Sequence, residues 1–445
     1  MKPDTIVALA SGAGRAGVAV IRVSGPAAGD VLRTLTDRDL PKPRHAARMA
    51  FCAPNGGLSL DDGIALWFPH PASFTGEDVA ELHVHGGSAV VSAMIEATLS
   101  VAGVRFAEPG EFTRRAFENG KLDLAEAEGL ADLVDAETEG QRRQALRQRR
   151  GALSAMYDTW RERLIQAAAL IEAEIDFPDE ELPDALAQRA GPMLSALAVE
   201  MARHLNDSHR GERIRDGYRI AIIGPPNAGK SSLLNALAQR EAAIVSEIPG
   251  TTRDVVEVRL VLAGFPVWIA DTAGLREAAD AIEAEGVRRA LARAEEADLR
   301  LAVIEPGGQT GATAGQTNGV QAALRDGDIV VLSKADLAPG PTGGHTIAVS
   351  SLTGAGLPAL EAMLGARVAE ALGREEAPVL TRARHRRLVE EARAALERAV
   401  PALASGAELA AEDVRAAATA IGRLTGRIDV EDLLDEIFSS FCIGK

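Results

Sequence analysis

Cysteine is almost absent: Cys52 and Cys442 are the two in 445 residues, too few and too far apart for a disulfide framework, so reduced thiols in a reducing compartment are expected. No apolar run approaches the roughly 20 residues of a membrane-spanning helix. The stretch Ile6–Ala10 ahead of Arg15 is also too short for a secretory leader, which makes a cytoplasmic protein the expectation. Net positive charge is missing as well. At −16 the chain is not built to coat nucleic acid through bulk electrostatics, although a local basic face could still hold a folded RNA. Lysine is scarce: of 48 basic residues only Lys2, Lys42, Lys121, Lys230, Lys334 and Lys445 are lysine. An ammonium is a compact point charge that a guanidinium does not imitate, so each lysine becomes a candidate for chemistry.

What is present, 445 residues with 47% hydrophobic, suffices for two to four domains. Residues 1–120 read as mixed α/β, with strands expected at Gly17–Val23 and Asp78–His85. Residues 121–215 turn rich in Ala, Leu, Glu and Arg at helical spacing, residues 216–373 alternate strand-like and helical runs, and residues 374–445 return to helix. The simplest architecture is an α/β domain inserted into a helical one. Residues 306–328, with little apolar periodicity, are expected to be a surface excursion of the insert.

The insert opens with the strand Tyr218–Ile223, then Gly224-Pro225-Pro226-Asn227-Ala228-Gly229-Lys230-Ser231, then a helical run. Strand, glycine-framed loop and helix together form a P-loop: backbone N–H groups cradle phosphates, Lys230 reaches the terminal phosphates and Ser231 supplies an oxygen to Mg²⁺. Asp271-Thr272-Ala273-Gly274 follows an apolar strand and offers a carboxylate for a water-bridged Mg²⁺ and a Gly274 N–H for the γ-phosphate. Between them Gly250-Thr251-Thr252-Arg253-Asp254 reads as a switch loop, with Thr252 completing the metal shell. Asp336, in Ser333-Lys334-Ala335-Asp336, can accept two hydrogen bonds from a guanine edge, and Ser350-Ser351 begins a turn suited to backing the base. A GTPase follows. Leu275 stands where a Ras-like protein orients water with Gln, so another group, or a cation held by Asn227, must assist; K⁺ would suit.

These motifs resemble the translation-factor class of GTPases, and Asn227 with the segments at 251–254 and 271–276 resembles its potassium-activated members related to Era and septins. Phe74-Thr75-Gly76-Glu77-Asp78, Pro109-Gly110-Glu111-Phe112-Thr113, Lys121-Leu122-Asp123-Leu124, Ile175-Asp176-Phe177-Pro178 and the terminal Phe441-Cys442-Ile443-Gly444-Lys445 extend the resemblance, over the whole chain, to the MnmE (TrmE) family. Ser333, where the family usually has Asn, and Pro225, where many members have Arg, depart from the pattern. The serine leads us to expect weaker guanine affinity with the preference kept.

The resemblance implies a tetrahydrofolate-binding, dimerising N-terminal domain, a discontinuous helical domain and a Ras-like G domain. It implies a nucleotide set of Asn227, Ala228, Gly229, Lys230, Ser231, Ser232, Ser246, Glu247, Ile248, Pro249, Gly250, Thr251, Thr252, Asp271, Thr272, Ala273, Gly274, Ser333, Lys334, Asp336, Ser350 and Ser351. It further implies K⁺ on Asn227, Ser246, Ile248 and Thr251, Mg²⁺ on Ser231 and Thr252, Glu283 positioning the water, and folate on Arg22, Glu81, Lys121 and Lys445. Cys442 is a candidate tail nucleophile. The implied activity is modification of the wobble uridine of tRNA with a carbon from a methylene- or formyl-tetrahydrofolate, in company with an FAD-dependent MnmG-type partner. The rivals are an Era- or Der-type ribosome-assembly GTPase and a folate-dependent one-carbon transferase that the G domain regulates. Arginine clusters at 142–150 and 382–387 read first as solvated or salt-bridged faces, and second as phosphate contacts.

Overall fold

The structure, a computed structural model, describes residues 4–54, 57–176, 186–240, 257–271, 295–306, 320, 324–338, 343–373, 378–428, 431–439 and 441–444. The chain falls into two compact units. One gathers Met1–Ala131, Gln148–Met193 and Arg398–Lys445, the other Asp132–Arg147 and Leu194–Glu397.

The first unit begins with strands β1 (Thr5–Leu9), β2 (Ala16–Ser24), β3 (Ala47–Cys52), β4 (Ser59–Phe68), β5 (Val79–Gly86) and β6 (Val104–Phe106) and helices α1 (Ala28–Thr36), α2 (Ser88–Leu99) and α3 (Glu111–Glu118). The strands lie in the order β3-β4-β5-β2-β1-β6, antiparallel except for the parallel β1–β6 pair. Side chains alternate across a pleated strand. Ala19, Ile21 and Val23 on β2 and Ala80, Leu82 and Val84 on β5 therefore join Val31, Leu32, Leu35 and Met94 from the two helices in one core. The intervening Arg22 and Glu81 are cross-strand partners and emerge on the other face. The expected strands at 17–23 and 78–85 are β2 and β5.

The helical part contains α4 (Leu124–Asp135), α5 (Glu139–Arg149), α6 (Ala152–Asp176), α7 (Ala190–Leu205) and α8 (Arg210–Asp216). In α6 the buried residues Leu153, Tyr157, Trp160, Leu164, Ala167 and Ile171 recur every three or four positions, a stripe along one helix face.

In the second unit β7 (Tyr218–Ile223) leads into α9 (Lys230–Ala238), and β8 (Glu257–Leu262), β9 (Phe265–Asp271), β10 (Leu299–Ile304), β11 (Ile329–Leu332) and β12 (Thr346–Ala348) complete a sheet of order β12-β11-β10-β7-β9-β8. All pairs are parallel except β8–β9. Strand β10 is buried along its length, the pattern of a strand covered on both faces. Helices α10 (Leu357–Leu372) and α11 (Ala383–Ala402) follow; α12 (Ala407–Leu424) and α13 (Glu431–Ser439) belong to the first unit, where α12 packs against α6.

One expectation is corrected. Within 306–328, Val320 and Leu324 pack against a cluster of Ala221, Ile223, Ala297 and Ala302. Asp328 is buried, accepting from the backbone N–H groups of Arg300 and Arg325, so this part of the segment belongs to the domain's body. Residues 307–319 and 321–323 lie outside the described residues.

Candidate functional site

In an open α/β sheet, ligands bind beyond the carboxyl ends of the strands where the order reverses; here β7 lies between β9 and β10, and the loop after β7 is the P-loop. A Cβ on Gly224 would lie 2.2 Å from the Val303 carbonyl oxygen, and Gly229 sits at φ +91° as the N-terminal cap of α9. Both positions thus require glycine. Asn227 adopts a left-handed φ of 62°, which Asn tolerates better than most residues. This backbone aims the orphan N–H groups of α9, and the positive end of its dipole, at the mouth of the loop.

Lys230 is nearly buried and donates to the carbonyls of Gly224 (2.9 Å) and Pro225 (2.8 Å), which holds its ammonium inside the loop. Ser231 donates through Oγ to Asp271 Oδ2 at 2.6 Å, joining hydroxyl and carboxylate as a Mg²⁺ site requires. On the base side Ser350, fully buried, donates to Asp336 Oδ1 at 2.6 Å and accepts from the Thr353 N–H, so it fixes the carboxylate that would read guanine. Lys334 pairs with Glu305, a partner that the sequence did not suggest. Ser333 Oγ donates to the Ile304 carbonyl at 3.3 Å and so bonds to the end of β10, where a longer Asn could reach on to the P-loop. Ala228 is buried, Ser232 exposed and Ser351 half-buried. Thus Asn227 to Ser232, Asp271, Ser333, Lys334, Asp336, Ser350 and Ser351 come together around the ends of β7, β9, β11 and β12. The candidates at 246–252 and 272–274, and Glu283, lie outside the described residues.

The N-terminal sheet gathers a second set. Arg22 pairs with Glu81 at 2.9 Å, and its guanidinium lies 5.6 Å from the Phe74 ring and 5.8 Å from that of Phe112, two aromatic neighbours that the lysine count could not single out. Lys121 donates to the Pro71 carbonyl at 3.0 Å and lies beside Gly76, on the loop that carries Phe74. The C-terminal tail joins them: the backbone carbonyl of the exposed Cys442 accepts from the Gly110 N–H at 3.4 Å, and a Cβ on Gly444 would lie 2.2 Å from the Leu9 carbonyl oxygen. Leu9 follows Ala8, the cross-strand partner of Arg22. Lys445 lies outside the described residues.

The motifs at 74–78 and 109–113 prove to be structural as well. Arg115, buried, binds Glu77, Glu111 (2.8 Å) and Asp4 (2.7 Å), and Arg105 bridges Asp4 and Glu111. Ser24 adds hydrogen bonds to Thr75 and Glu77 at 2.7 Å. Burial pushes the Glu111 carboxyl up, but the hydrogen bonds from Arg105, the Glu108 N–H and Arg115 outweigh it and hold it below the usual range. Next along the chain Asp123 and Glu126 cap α4 reciprocally, each accepting from the other's backbone N–H at 2.8–2.9 Å.

Two histidines of β5 have acidic neighbours, and arginines of both clusters are salt-bridged. His85 binds Asp61 at 2.8 Å and His83 approaches Glu81; among the described residues no group of three ligands could hold a metal. Arg142 pairs with Glu139, Arg382 with Asp132, and the buried Arg386 with Asp207. No helix among the described residues is long and apolar enough to cross a membrane.

Comparison with known proteins agrees over the whole length. Residues 5–121 match the family model described as the GTP-binding protein TrmE N-terminus, and residues 124–442 match the MnmE helical domain. The tRNA modification GTPase MnmE of Parvibaculum lavamentivorans is 60% identical over 99% of this chain and 100% of that protein, and the one from Maricaulis maris is 57% identical over 99% of each. The G domain of the T. maritima FeoB iron transporter covers 35% of this chain and 98% of that one at 23% identity and a TM-score of 0.26, a likeness too low to bear on function. With full-length relatives at this identity, and with models matched to both the N-terminal and the helical parts, the chain belongs to the MnmE family of tRNA modification GTPases.

Proposed function

We propose that this chain hydrolyses GTP in the service of modifying the wobble uridine of tRNA, in the cytoplasm, as a homodimer working with an FAD-dependent MnmG-type partner. The observation that carries the reading is the convergence of Lys230, the Ser231–Asp271 pair and the Ser350-held Asp336 on one end of the second sheet, in a chain that matches tRNA modification GTPases from end to end. In this reading residues 1–120 would serve folate binding and dimerisation, 121–215 with 374–445 would form the helical domain, and 216–373 would form the G domain. The family-model match at 5–121 is to a TrmE N-terminus, which disfavours an Era- or Der-type architecture.

On nucleotide binding Lys230 exchanges the two loop carbonyls for the β- and γ-phosphates, an exchange of weak neutral acceptors for charged ones. The N–H groups at the start of α9 take the remaining phosphate oxygens. Asp336 accepts the two guanine donors, with its second oxygen oriented by Ser350. Ser231, with Asp271 acting through water and Thr252, would hold Mg²⁺, and Asn227, Ser246, Ile248 and Thr251 would hold K⁺; bound there, the ions would supply positive charge against the phosphates. Glu283 would orient the water. Arg22, Glu81, Lys121 and Lys445 would hold the folate, since a cation–carboxylate pair between two rings and a lysine suit a molecule with a flat pterin and anionic tail. Bound folate supplies the one-carbon unit. Cys442, on the exposed tail, is the candidate nucleophile or tRNA contact.

Nucleoside analysis of tRNA from cells lacking the protein tests the activity: the wobble modification should disappear, and unchanged wobble uridines would refute it. Comparing GTP turnover in K⁺ and Na⁺ tests the cation, since equal rates exclude a potassium role.

A further inference from the structure

The stretch Asp132–Arg147 comes from the middle of the helical sequence, yet it belongs with the second unit, while residues on either side of it belong with the first. Its anchor is the first turn of α5. Thr138 and Gln141 form a capping box: Gln141 Oε1 accepts from the Thr138 N–H and Oγ, and the Gln141 N–H returns to Thr138 Oγ1. That leaves the Gln141 amide free to donate outward, and Nε2 reaches the Arg215 carbonyl at 2.8 Å.

Between them Gly140 meets the β8–β9 turn. Its N–H donates to the Gly264 carbonyl at 2.8 Å, and a Cβ there would lie 2.4 Å from Phe265 Cδ1. Glu137 forms an ion pair with Arg259 of β8, whose guanidinium lies 5.1 Å from the Trp268 ring of β9. Trp268 in turn donates to the Asp216 carbonyl at 2.8 Å, and Gly217 leaves room for its ring. Helix start, hairpin and the lead into β7 thus close on one another without space for a methyl group.

The hairpin is the piece of sheet that nucleotide state should move. β8 begins at Glu257, five residues after Thr252 in sequence, and β9 ends on Asp271, the partner of Ser231. The turn gripped by Gly140 is at the opposite end of these strands, roughly 20 Å from Asp271 at the rise of an extended chain. Packed elements shift as units. We propose that the Glu137–Gln141 segment is the latch through which the β8–β9 hairpin reports nucleotide state to the helical part. The proposal rests on the GTPase reading above.

The test is hydrogen exchange on the full-length protein with GDP and with a non-hydrolysable GTP analogue, alongside GTP turnover and wobble-uridine analysis in complemented cells. In the unaltered protein, exchange at residues 138–142 should differ at least about fivefold between the two nucleotides, within the usual span of site-to-site coupling. Gly140→Ala should leave GTP turnover within about twofold, abolish that difference and lower modified tRNA about tenfold or more. Glu137→Gln, a milder change on an exposed ion pair, should act in the same direction if Gly140→Ala fails to fold. Identical exchange at 138–142 in both states, while 257–271 responds, would overturn the latch, as would variants that keep full tRNA modification. Absence of GTP turnover in the unaltered protein would instead overturn the nucleotide reading beneath it.

Discussion

In the N-terminal part the motif residues Glu77 and Glu111 are neutralised by Arg115, with Asp4 and Arg105 completing the network, whereas in the nucleotide part Lys230 donates to the P-loop carbonyls of Gly224 and Pro225. Glu77, Glu111 and Lys230 sit in family motifs, and Glu111, Arg115 and Lys230 are buried. The difference is what each would lose or gain when a charged ligand arrives: the arginine network has its counter-charges built in, while the lysine would gain a far stronger acceptor from phosphate. A buried ion set among fixed counter-charges is architecture, and one that can trade loop carbonyls for a phosphate is poised for a ligand.

The sharpest way to break this contrast is to exchange the two cations' effects. Arg115→Met should cost about 3–5 kcal/mol of unfolding free energy, because Glu77 and Glu111 are left as buried charges with fewer partners, and should leave GTP turnover nearly unchanged at temperatures where the protein stays folded. Lys230→Met should do the opposite. GTP turnover should fall about 10²- to 10³-fold, as when a preorganised donor to a developing charge is removed, with unfolding free energy altered by only about 1 kcal/mol. Calorimetry and a phosphate-release assay on the two variants decide it. If Arg115→Met spares stability, the N-terminal motif has a ligand role instead.

Acid sharpens the contrast further. The folded Glu111 carboxyl titrates below its ordinary 4.5, because hydrogen bonds from Arg105, Glu108 and Arg115 overcome the upward push of burial. A depressed carboxylate stabilises the fold above the unfolded value and loses that contribution as pH falls through the folded one. Melting temperature should therefore drop as pH is lowered from about 4.5, and Glu111→Gln should flatten that stretch of the curve.

How much of this could be read beforehand varied with the kind of residue. The strand before the P-loop, Tyr218–Ile223, is legible to the residue because its apolar run, broken only by the exposed Arg219, ends in glycine. Lys230, Ser231 and Asp271 were legible because phosphate and Mg²⁺ chemistry fixes both type and spacing. Arg115 was not: it sits among 42 arginines, and its partners Asp4 and Glu77 are 111 and 38 residues away, beyond any local pattern. The capping pairs Asp123–Glu126 and Thr138–Gln141 lie at three-residue spacing, a local pattern of polar residues that marks a helix start and carries no ligand chemistry. Val320 and Leu324 are not legible as core, because two apolar residues in a polar segment carry no period.

The smallest expected effect is the most specific to charge. Asp123 caps α4, and its carboxyl is pushed up chiefly by burial, with the Asp158 charge adding to this and hydrogen bonds involving Ser154, Glu126 and Ala125 opposing it. The sign is opposite to that of Glu111: a raised carboxyl stabilises the fold when protonated, and that contribution fades as pH rises through the folded value. Asn caps a helix as well as Asp does, and its carbonyl oxygen can take the Glu126 N–H that Asp123 Oδ1 accepts at 2.8 Å. Asp123→Asn should therefore match or slightly exceed the parent in stability at pH 7, by up to about 0.5 kcal/mol, with the gap closing near pH 4. Asp123→Ala, which removes the cap itself, should cost about 1 kcal/mol at both pH values. If Asn proves as costly as Ala, the charge at 123 is needed after all, and this carboxylate belongs with Glu77 and Glu111 in the ionic architecture of the N-terminal part.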